Sequence, residues 1–577
     1  MSKTKMLLKY AAAFAAGAFL FAGSAAAQSN NDRKVLLKKF LDASDKIPAH
    51  HKKLLSSGMQ NFLHYAAAVN ASHSKTADDG GTLNVSGRAL SAAVKGASPF
   101  AGISAAGPGG TVGVSNPALD FVGSIITGFT QSETSSAWCG NAIVAGYNDS
   151  GAVLRSAGNN PLAPASLSGV SYSTDGGRSF VDLGFLNPGT DGANFLIGDP
   201  TVGCSSSSQF YYTSIFATAT PPDINGNRNP LSAVSINASS TGGASWSAPI
   251  AVVAKDGFLH SLDKPWHAVD PTNQMRLYVT YTDFDFSGAS TACPNDFRLA
   301  IELVSSTDGG NTWGAPLVID EECGASLNGV QGSNVQVAGE GKVYVAFEFF
   351  PVTPDNEIHI RTSADHGQTF GAPVVITNAV VPNGSGGLLQ GGFRNNEFPQ
   401  LAVDRSKGPS RGTVYVAWSD GRDNVIPDLA SFTGTYAFPD ILVAKSTDSG
   451  QTFTTPNAVS PMEADFTGLG RDQFFPGIAV DGEGRVGVCY YDRRNDPGNT
   501  IIDRFCSVSH NHGASWNEHR VSHSNWLPLH GSDVAIVPTY IGDYDALTSD
   551  FLLRQDGFFG TFEIQTNGNP DVIAKKF

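Results

Sequence analysis

The chain repeats one short phrase six times, and its first copy reads Ser173-Thr174-Asp175-Gly176-Gly177-Arg178-Ser179-Phe180. The shared pattern is S-x-D-x-G-x-[ST]-[WF]. The copies begin at residues 173, 239, 306, 363, 446 and 509, which are 66, 67, 57, 83 and 63 residues apart. Self-similarity at such a period indicates a repeat architecture in which each repeat is one supersecondary unit.

The residue types in the phrase predict a tight turn between two β-strands. An Asp side chain accepts hydrogen bonds from nearby backbone N–H groups, and a Gly at the fifth position adopts a positive φ without steric cost. The closing Trp or Phe is expected to start the next strand and to bury its ring between sheets. Two copies carry Thr241 and Asn511 in place of Asp, and both side chains can still accept a hydrogen bond.

Apolar and aromatic runs around the phrase predict further strands. One series comprises 265–270, 399–404 and 476–481, and a second comprises 143–147, 278–283, 344–348, 415–420 and 487–492. Counting these inner strand pairs gives seven sheets, because one more pair, between residues 542 and 563, follows the last phrase. Residues near 111–115 are expected to lend that last sheet a strand, which would close the ring and remove exposed sheet edges. Six sheets remain the alternative.

The phrase resembles the Asp-box, the bacterial neuraminidase repeat of sialidase-like β-propellers, and the resemblance covers roughly residues 117–577. It implies an all-β propeller of four-stranded antiparallel blades, seven by our count, with a glycan or polysaccharide as its partner. The structural positions of the box are then Asp175, Asp308, Asp365, Asp448 and Asn511.

The N-terminal region does not belong to the repeat. Residues 1–27 combine three lysines, a short apolar run and a small-residue cleavage site, which predicts a signal peptide rather than a membrane span. Residues 28–72 show helical periodicity and predict a short α-helical extension, and residues 73–116 read as a Gly/Ala/Ser-rich linker. The mature protein is therefore expected to be secreted or periplasmic.

Composition excludes one class of partner. The formal net charge is −15, and an acidic chain repels polyanions, so nucleic acid is not expected as a ligand. No metal site or other cofactor is expected, although oxygen-only clusters at a propeller mouth leave Ca²⁺ as an alternative. The oligomeric state is not predicted.

Six cysteines in an exported chain predict up to three disulfides. The propeller register favours one connectivity over the other fourteen. In this register one pair of cysteines lies in loops at the same end of a blade. A second pair lies on consecutive strands of another blade, and the third lies on the innermost strands of adjacent blades. The resulting pairs are Cys293–Cys323, Cys489–Cys506 and Cys139–Cys204.

Topology locates a candidate site. If the repeated turn joins the third and fourth strands of each blade, first strands begin and second strands end on the opposite face. Acidic residues recur at those places, namely Asp199, Asp263, Glu397, Asp472 and Asp543, then Asp283, Asp420 and Asp492. Two of them lead into Arg422 and Arg494, and aromatic rings such as Trp418 and Trp266 accompany them. Such a mouth suits a many-hydroxylated ligand.

The resemblance to sialidases implies more specific roles. Those enzymes bind the substrate carboxylate with three arginines, for which Arg422, Arg494 and either Arg394 or Arg361 are candidates. They use a Tyr nucleophile beside a Glu and an Asp acid/base. Tyr544 or Tyr490 is the candidate nucleophile, Glu397 or Glu348 its partner, and Asp420 or Asp492 the acid/base. The early Phe/Tyr-Arg-Ile-Pro motif of that family is absent from this sequence.

Three functions remain open from the sequence. The first is an exported glycoside hydrolase of the exo-α-sialidase kind that acts at the mouth opposite the repeated turns. The second is a propeller that binds glycan or protein without catalysis. The third is a polysaccharide lyase on the same scaffold, with His267 and Tyr281 as its candidate pair.

Overall fold

The structure is a computed structural model that describes Lys38 and residues 110–577, apart from 123–126, 158–163, 354, 386, 423–424, 429–433, 460–469, 523, 529–532, 534–535, 537–539 and 567–568. The predicted signal peptide and helical extension, and most of the linker, lie outside the described residues. No helix in the described part of the chain is long and apolar enough to cross a membrane.

Seven four-stranded antiparallel sheets form a β-propeller, as the strand count predicted. From the innermost strand outward, blade 1 contains Gln131–Cys139, Ala142–Asp149, Ser168–Ser173 and Val181–Asp182. Blade 2 contains Phe195–Cys204, Phe210–Ala219, Pro230–Ser239 and Ile250–Asp256, and Ala165–Ser166 pairs in parallel with its first strand. Blade 3 contains His260–Val269, Leu277–Asp285, Arg298–Ser306 and Leu317–Cys323.

Blades 4 to 7 repeat this order. Blade 4 contains Gly329–Val337, Val343–Phe350, Asn356–Ser363 and Val374–Val380, and blade 5 contains Gln400–Val403, Val414–Asp420, Asp440–Ser446 and Asn457–Ala458. Blade 6 contains Gln473–Val480, Val486–Asp492, Asp503–Ser509 and Asn517–Arg520, and blade 7 contains Leu547–Thr548, Phe559–Thr566, Asn569–Lys576 and Val112–Gly113.

Smaller elements decorate the ring. Two hairpins pair Phe121–Val122 with Thr127–Gly128 and Val425–Asp428 with Gly434–Ala437. An α-helix spans Ser150–Ala157, and 3-10 turns span Pro117–Leu119 and Gly324–Ser326. Apolar residues from the facing sheets of neighbouring blades form the core, as where Phe180 of blade 1 packs on Phe559 of blade 7 at 5.8 Å between ring centroids.

The repeated phrase forms the turn between the third and fourth strands of blades 1 to 6. In the blade 3 copy, Asp308 accepts hydrogen bonds from the N–H groups of Asn311 and Thr312 and from the Thr312 hydroxyl. The hydrogen bond from the Thr312 hydroxyl is the largest of the effects that lower the Asp308 pKa to about 2. The fifth-position glycine, Gly310 here, has a φ of 89° and donates to the first serine of the phrase.

The two divergent copies form the same turn. The Thr241 hydroxyl accepts from the backbone N–H of Ser245 at 2.9 Å, and the Asn511 amide oxygen accepts from that of Ser515 at 2.8 Å. One detail differs from the expectation. The fourth strand begins four residues after the closing aromatic residue in blades 2 to 5, because an extended segment intervenes.

The N-terminal segment closes the ring, as expected. Val112 and Gly113 pair with Ala574 and Ile573 and so supply the fourth strand of blade 7. The sheet thus begins inside the segment that composition assigned to the linker. We call the neighbouring carboxyl groups of Asp120, Asp149, Asp182 and Asp571 the closure seam. They join residues 115–120 to blades 1 and 7 through hydrogen bonds such as Asn116 N–H to Asp182 and Asn569 to Asp120.

All three predicted disulfides are formed. Cys139–Cys204 joins the innermost strands of blades 1 and 2, Cys489–Cys506 joins neighbouring strands of blade 6, and Cys293–Cys323 joins a loop of blade 3 to the end of its fourth strand, where a second loop residue was expected. No described cysteine is free.

Candidate functional site

An extra residue kinks the innermost strand of five blades near its start. Blades 1, 2, 3, 4 and 6 each have a register shift there that places two residues of the first strand opposite one of the second. The first inserted residue has a positive φ, at Glu133, Asp199, Lys264, Gly332 and Phe475. Such β-bulges re-aim side chains, and here they bring charged ones to the propeller axis.

Lys264 lies at the centre of the charges on the face opposite the repeated turns. Its ammonium Nζ is 2.6 Å from Asp543, 3.3 Å from Asp199 and 3.8 Å from Glu133. Arg394 completes the group by donating its Nε to Asp543 at 3.0 Å. We call these five residues, from blades 1, 2, 3 and 7 and the loop before blade 5, the central cluster.

Aromatic and amide side chains surround the central cluster. The Lys264 ammonium lies 5.0 Å from the Tyr544 ring centroid, and that ring packs edge-on against Trp266 at 5.5 Å. The Tyr544 hydroxyl donates to the Pro200 carbonyl. Asn148 donates to Glu133 and to the Tyr540 hydroxyl, at 2.8 and 2.7 Å.

Electrostatics separate the carboxyl groups of the central cluster. Burial raises the pKa of Glu133 well above its ordinary value, and the negative charge of Asp199 adds to this rise. Burial acts in the same direction on Asp543, but Arg394 and Lys264 outweigh it and lower the Asp543 pKa. Burial alone would lower the Lys264 pKa, yet the surrounding carboxylates raise it. The pKa values of these two carboxyl groups are therefore displaced in opposite directions around one ammonium.

An axial channel continues from the central cluster toward the repeated turns. It encloses about 170 Å³ and is lined by the innermost strands of all seven blades. Its lining includes Trp266 and His267. Burial lowers the His267 pKa to about 4, so this imidazole is neutral at physiological pH.

Three of the sequence-predicted site residues lie at or beside the central cluster. Arg394 belongs to it, and Tyr544 and Trp266 pack against it. Of the acidic first-strand series, Asp199 and Asp543 belong to it as well. Glu397 lies in the chain just before blade 5, where its carboxylate accepts the Asn383 N–H at 2.8 Å.

Asp420, Arg422 and Trp418 form a separate unit within blade 5. The Asp420 carboxylate accepts hydrogen bonds from the Trp418 indole at 2.9 Å and from the Arg422 guanidinium at 2.6 Å. Arg422 also donates to Thr377 in the outermost strand of blade 4. The guanidinium of Arg422 is therefore already bound to the carboxylate of Asp420.

Asp492, Arg494 and Tyr490 form the corresponding unit in blade 6. Arg494 donates to Asp492 and to Glu518 in the outermost strand, and it stacks on Phe505 at 4.3 Å. Tyr490 donates to the same Glu518 at 2.6 Å. These side chains are directed toward the outer part of the blade.

The remaining candidates lie elsewhere. Arg361 is two residues before a repeated turn and bonds to Asp320 across the interface of blades 3 and 4. The lyase pair is also held by different partners, since the Tyr281 hydroxyl donates to Glu302 in blade 3 while His267 faces the axial channel.

Glu133 and Lys264 were missed by the sequence reasoning, although a signal for Lys264 exists. The bulge residue stands directly before a proline at Asp199, Lys264 and Phe475, so the position before that proline marks an axial side chain. The acidic series predicted from the sequence contains this position at Asp199. At Asp263 and Glu397 it contains the residue one place earlier instead.

One group in the described residues has the composition of a metal site. His260, Asp283 and Asp285 of blade 3 each place a ligand atom within 4.8 Å of the others. Lys255 donates to Asp283 at 2.8 Å, and the Arg298 guanidinium is 3.6 Å from it. Because these cations already neutralise the carboxylates, we assign no metal to the group.

Comparisons with known proteins give a likeness of shape. No protein-family model and no curated protein matches the chain. Similar solved structures include a Hadza microbial sialidase, with 15% identity over 72% of this chain and 75% of that chain and a TM-score of 0.39. An α-L-arabinofuranosidase of Fusarium graminearum has 11% identity over 81% and 97%, with a TM-score of 0.43. A polysaccharide lyase described as an ulvan lyase has 10% identity over 82% and 95%, with a TM-score of 0.41. These likenesses assign no activity to this chain.

Proposed function

We propose that this chain is an exported glycoside hydrolase on a sialidase-like propeller, with a carboxyl pair of the central cluster as its reacting groups in place of the Tyr nucleophile of the sialidases. The observation that carries the proposal is the opposite displacement of two pKa values, upward for Glu133 and downward for Asp543, around one shared ammonium. Pairs of carboxyl groups that are driven apart in this way supply the acid and the carboxylate of glycoside hydrolysis.

The residues of the central cluster take distinct roles in this proposal. Glu133 is the general acid that protonates the leaving oxygen, and Asp543 is the carboxylate that stabilises positive charge on the sugar ring. Arg394 is the most accessible member, with 17% of its side chain exposed, so its guanidinium meets substrate first and guides it to the more deeply buried carboxyl groups. Lys264 is a positioning residue that keeps the carboxyl groups together.

The three disulfides support the proposed location outside the cytoplasm. Disulfides persist in oxidising compartments such as the periplasm and the extracellular space. A glycan substrate in either compartment would reach the mouth opposite the repeated turns directly.

The test is sugar release by the purified chain from a panel of aryl glycosides that includes an α-sialoside. Glu133→Gln is expected to lower kcat by about 10²–10⁴-fold, the usual contribution of general acid catalysis. Arg422→Ala is expected to keep turnover, because its guanidinium is already bound to Asp420. The reverse result, with activity lost only in Arg422→Ala, would move the site to blade 5 and refute the central assignment.

A second candidate is a propeller that binds glycan or protein without catalysis. It is favoured by the pairing of Arg394, Arg422 and Arg494 with carboxylates of this chain, which leaves their forks turned inward. Absence of turnover on every glycoside of the panel, together with retention of the protein on an immobilised glycan, would establish this candidate instead.

A further inference from the structure

Arg405 brings a single charge into the axial channel. It follows the innermost strand of blade 5, and therefore lies at the end nearer the repeated turns, away from the central cluster. The other described residues that line the channel are apolar or neutral, among them Asn334, Gln336 and the neutral His267.

The Arg405 guanidinium contacts an aromatic ring but no acceptor. Its Cζ lies 4.5 Å from the ring centroid of Phe551. A phenylalanine ring has no oxygen or nitrogen acceptor, so this contact leaves the N–H donors of the guanidinium available to a ligand. Within the described part of the chain, the guanidinium has no hydrogen-bond acceptor and no carboxylate at ion-pair distance.

The acidic residues nearest to Arg405 are committed to the backbone. The negative charge of Asp550 favours the charged form of Arg405. The Asp550 carboxylate, however, accepts hydrogen bonds from four backbone N–H groups, those of Gly140, Leu552, Arg554 and Gln555. Asp404 accepts the backbone N–H of Ser406 at 2.7 Å through Oδ1, whereas its buried Oδ2 has no hydrogen-bond partner and does not reach the Arg405 guanidinium. Burial lowers the Arg405 pKa to about 10 despite Asp550, so the positive charge is incompletely compensated.

We propose that the Arg405 end of the axial channel is a binding site for a small oxyanion, a sulfate, phosphate or carboxylate group. Guanidinium forks bind such groups through paired charge-assisted hydrogen bonds. The channel volume is roughly ten times what one water molecule requires, so an oxyanion fits together with part of its hydration. The site lies at the other end of the channel from the central cluster and does not depend on the proposed hydrolase activity.

Calorimetric titration of the full chain with sodium sulfate tests the proposal directly. We expect one saturable site per chain in the wild-type protein, and at least a roughly tenfold loss of affinity in Arg405→Gln, since hydrogen bonds to a charged group are removed. Arg228→Gln is the matched control, because it changes net charge equally at a half-buried guanidinium that is already paired with Asp191. It is expected to bind sulfate as the wild type does.

Thermal melting provides a second measurement. Sulfate stabilises folded proteins in general, so the midpoint shift relative to sodium chloride at equal ionic strength is compared among the three proteins. The wild type and Arg228→Gln are expected to gain an additional shift that Arg405→Gln lacks. Absence of saturable binding in the wild type, or equal shifts in all three proteins, would overturn the proposal.

Parallel titrations with phosphate, acetate and glucuronate identify the source of the oxyanion. Preference for sulfate or phosphate indicates a free inorganic anion, and preference for glucuronate indicates the carboxylate of an acidic sugar. Either result, if it is lost in Arg405→Gln, supports the site.

Discussion

Lys264, Glu133 and Asp199 combine a left-handed backbone with a buried titratable side chain. Their φ values are 50°, 52° and 52°, a conformation that costs about 1–3 kcal/mol for each residue other than glycine. Both carboxyl groups lie within 3.8 Å of the Lys264 ammonium, so the three side chains share one site. The backbone strain at these three residues is therefore offset by the ionic contacts that the strained conformation makes possible.

Replacing Lys264 by Met is expected to lower the free energy of unfolding by about 3–5 kcal/mol, the cost of leaving a buried charge without its partner. The substitution removes the ammonium 3.3 Å from Asp199 while the methionine retains most of the apolar stem. Urea unfolding followed by tryptophan fluorescence measures this change.

Lys342→Met is the control for that experiment. Lys342 is a partly exposed lysine that bonds to Ser449, and its replacement is expected to cost less than about 1 kcal/mol. Equal losses in the two variants would show that the central cluster contributes no more than a surface contact.

Each repeated turn was predictable from the sequence because its hydrogen bonds fall within eight consecutive residues. The disulfides were predictable because the strand pattern places the cysteines of each pair at one end of a blade, on neighbouring strands, or on the innermost strands of adjacent blades. The arginines were assigned less accurately: Arg422 and Arg494 each bond to the Asp two positions earlier in their own turn. A bulge also changes which face of a strand a side chain occupies, and period-two patterning does not reveal it.

The closure seam makes stability depend on pH. Burial raises the pKa of Asp120 to about 8 and that of Asp571 to about 7, and neighbouring carboxylates contribute to both shifts. A carboxyl group with a raised folded-state pKa binds its proton more tightly in the folded protein than in the unfolded chain. Its stabilisation is complete below about pH 4 and is lost as the pH rises through the folded-state value.

We therefore expect the free energy of unfolding to fall between about pH 4 and pH 8, and Asp120→Asn to reduce the slope. Asp223→Asn is the control, because this exposed carboxyl group has a lowered pKa and does not titrate in that interval. Urea midpoints at each pH measure the slope. An unchanged slope in Asp120→Asn would contradict the role given to the seam.

The disulfides are expected to differ in their contribution to stability. Cys139–Cys204 encloses a separation of 65 residues and joins two blades, whereas Cys489–Cys506 encloses 17 residues within one sheet. Loop-closure entropy predicts that replacing the first pair by alanine costs about 1 kcal/mol more than replacing the second. Guanidinium unfolding of the two double variants measures the difference, and the opposite order would refute the entropic account.

The number of blades and the closure of the ring were both predictable, because strand pairs and repeated turns are counted directly in the sequence. The central cluster was only partly predictable, since its members come from distant segments that become neighbours only when the ring is complete. Completion of the ring also buries Val114, which is fully buried in the core between blades 1 and 7.

Val114→Asp is expected to destabilise the whole ring by more than about 3 kcal/mol, because a carboxylate would be buried where the ring closes. Val318→Asp, on the exposed outermost strand of blade 3, is the control and is expected to change stability by less than about 1 kcal/mol. Thermal melting with limited proteolysis distinguishes them, since an open ring exposes blade edges. Comparable melting of both variants would show that closure contributes little.

The pairing of Val112 with Ala574 joins two strands that are far apart in the sequence and are therefore synthesised at different times. The ribosome makes the closing strand Val112–Gly113 long before its partner Asn569–Lys576, so every nascent chain carries an incomplete seventh blade until that partner emerges. Unpaired strands at both ends are then available to a neighbouring polypeptide, the usual origin of swapped or aggregated products. A stop codon that removed only the last strand would leave this chain permanently in that state.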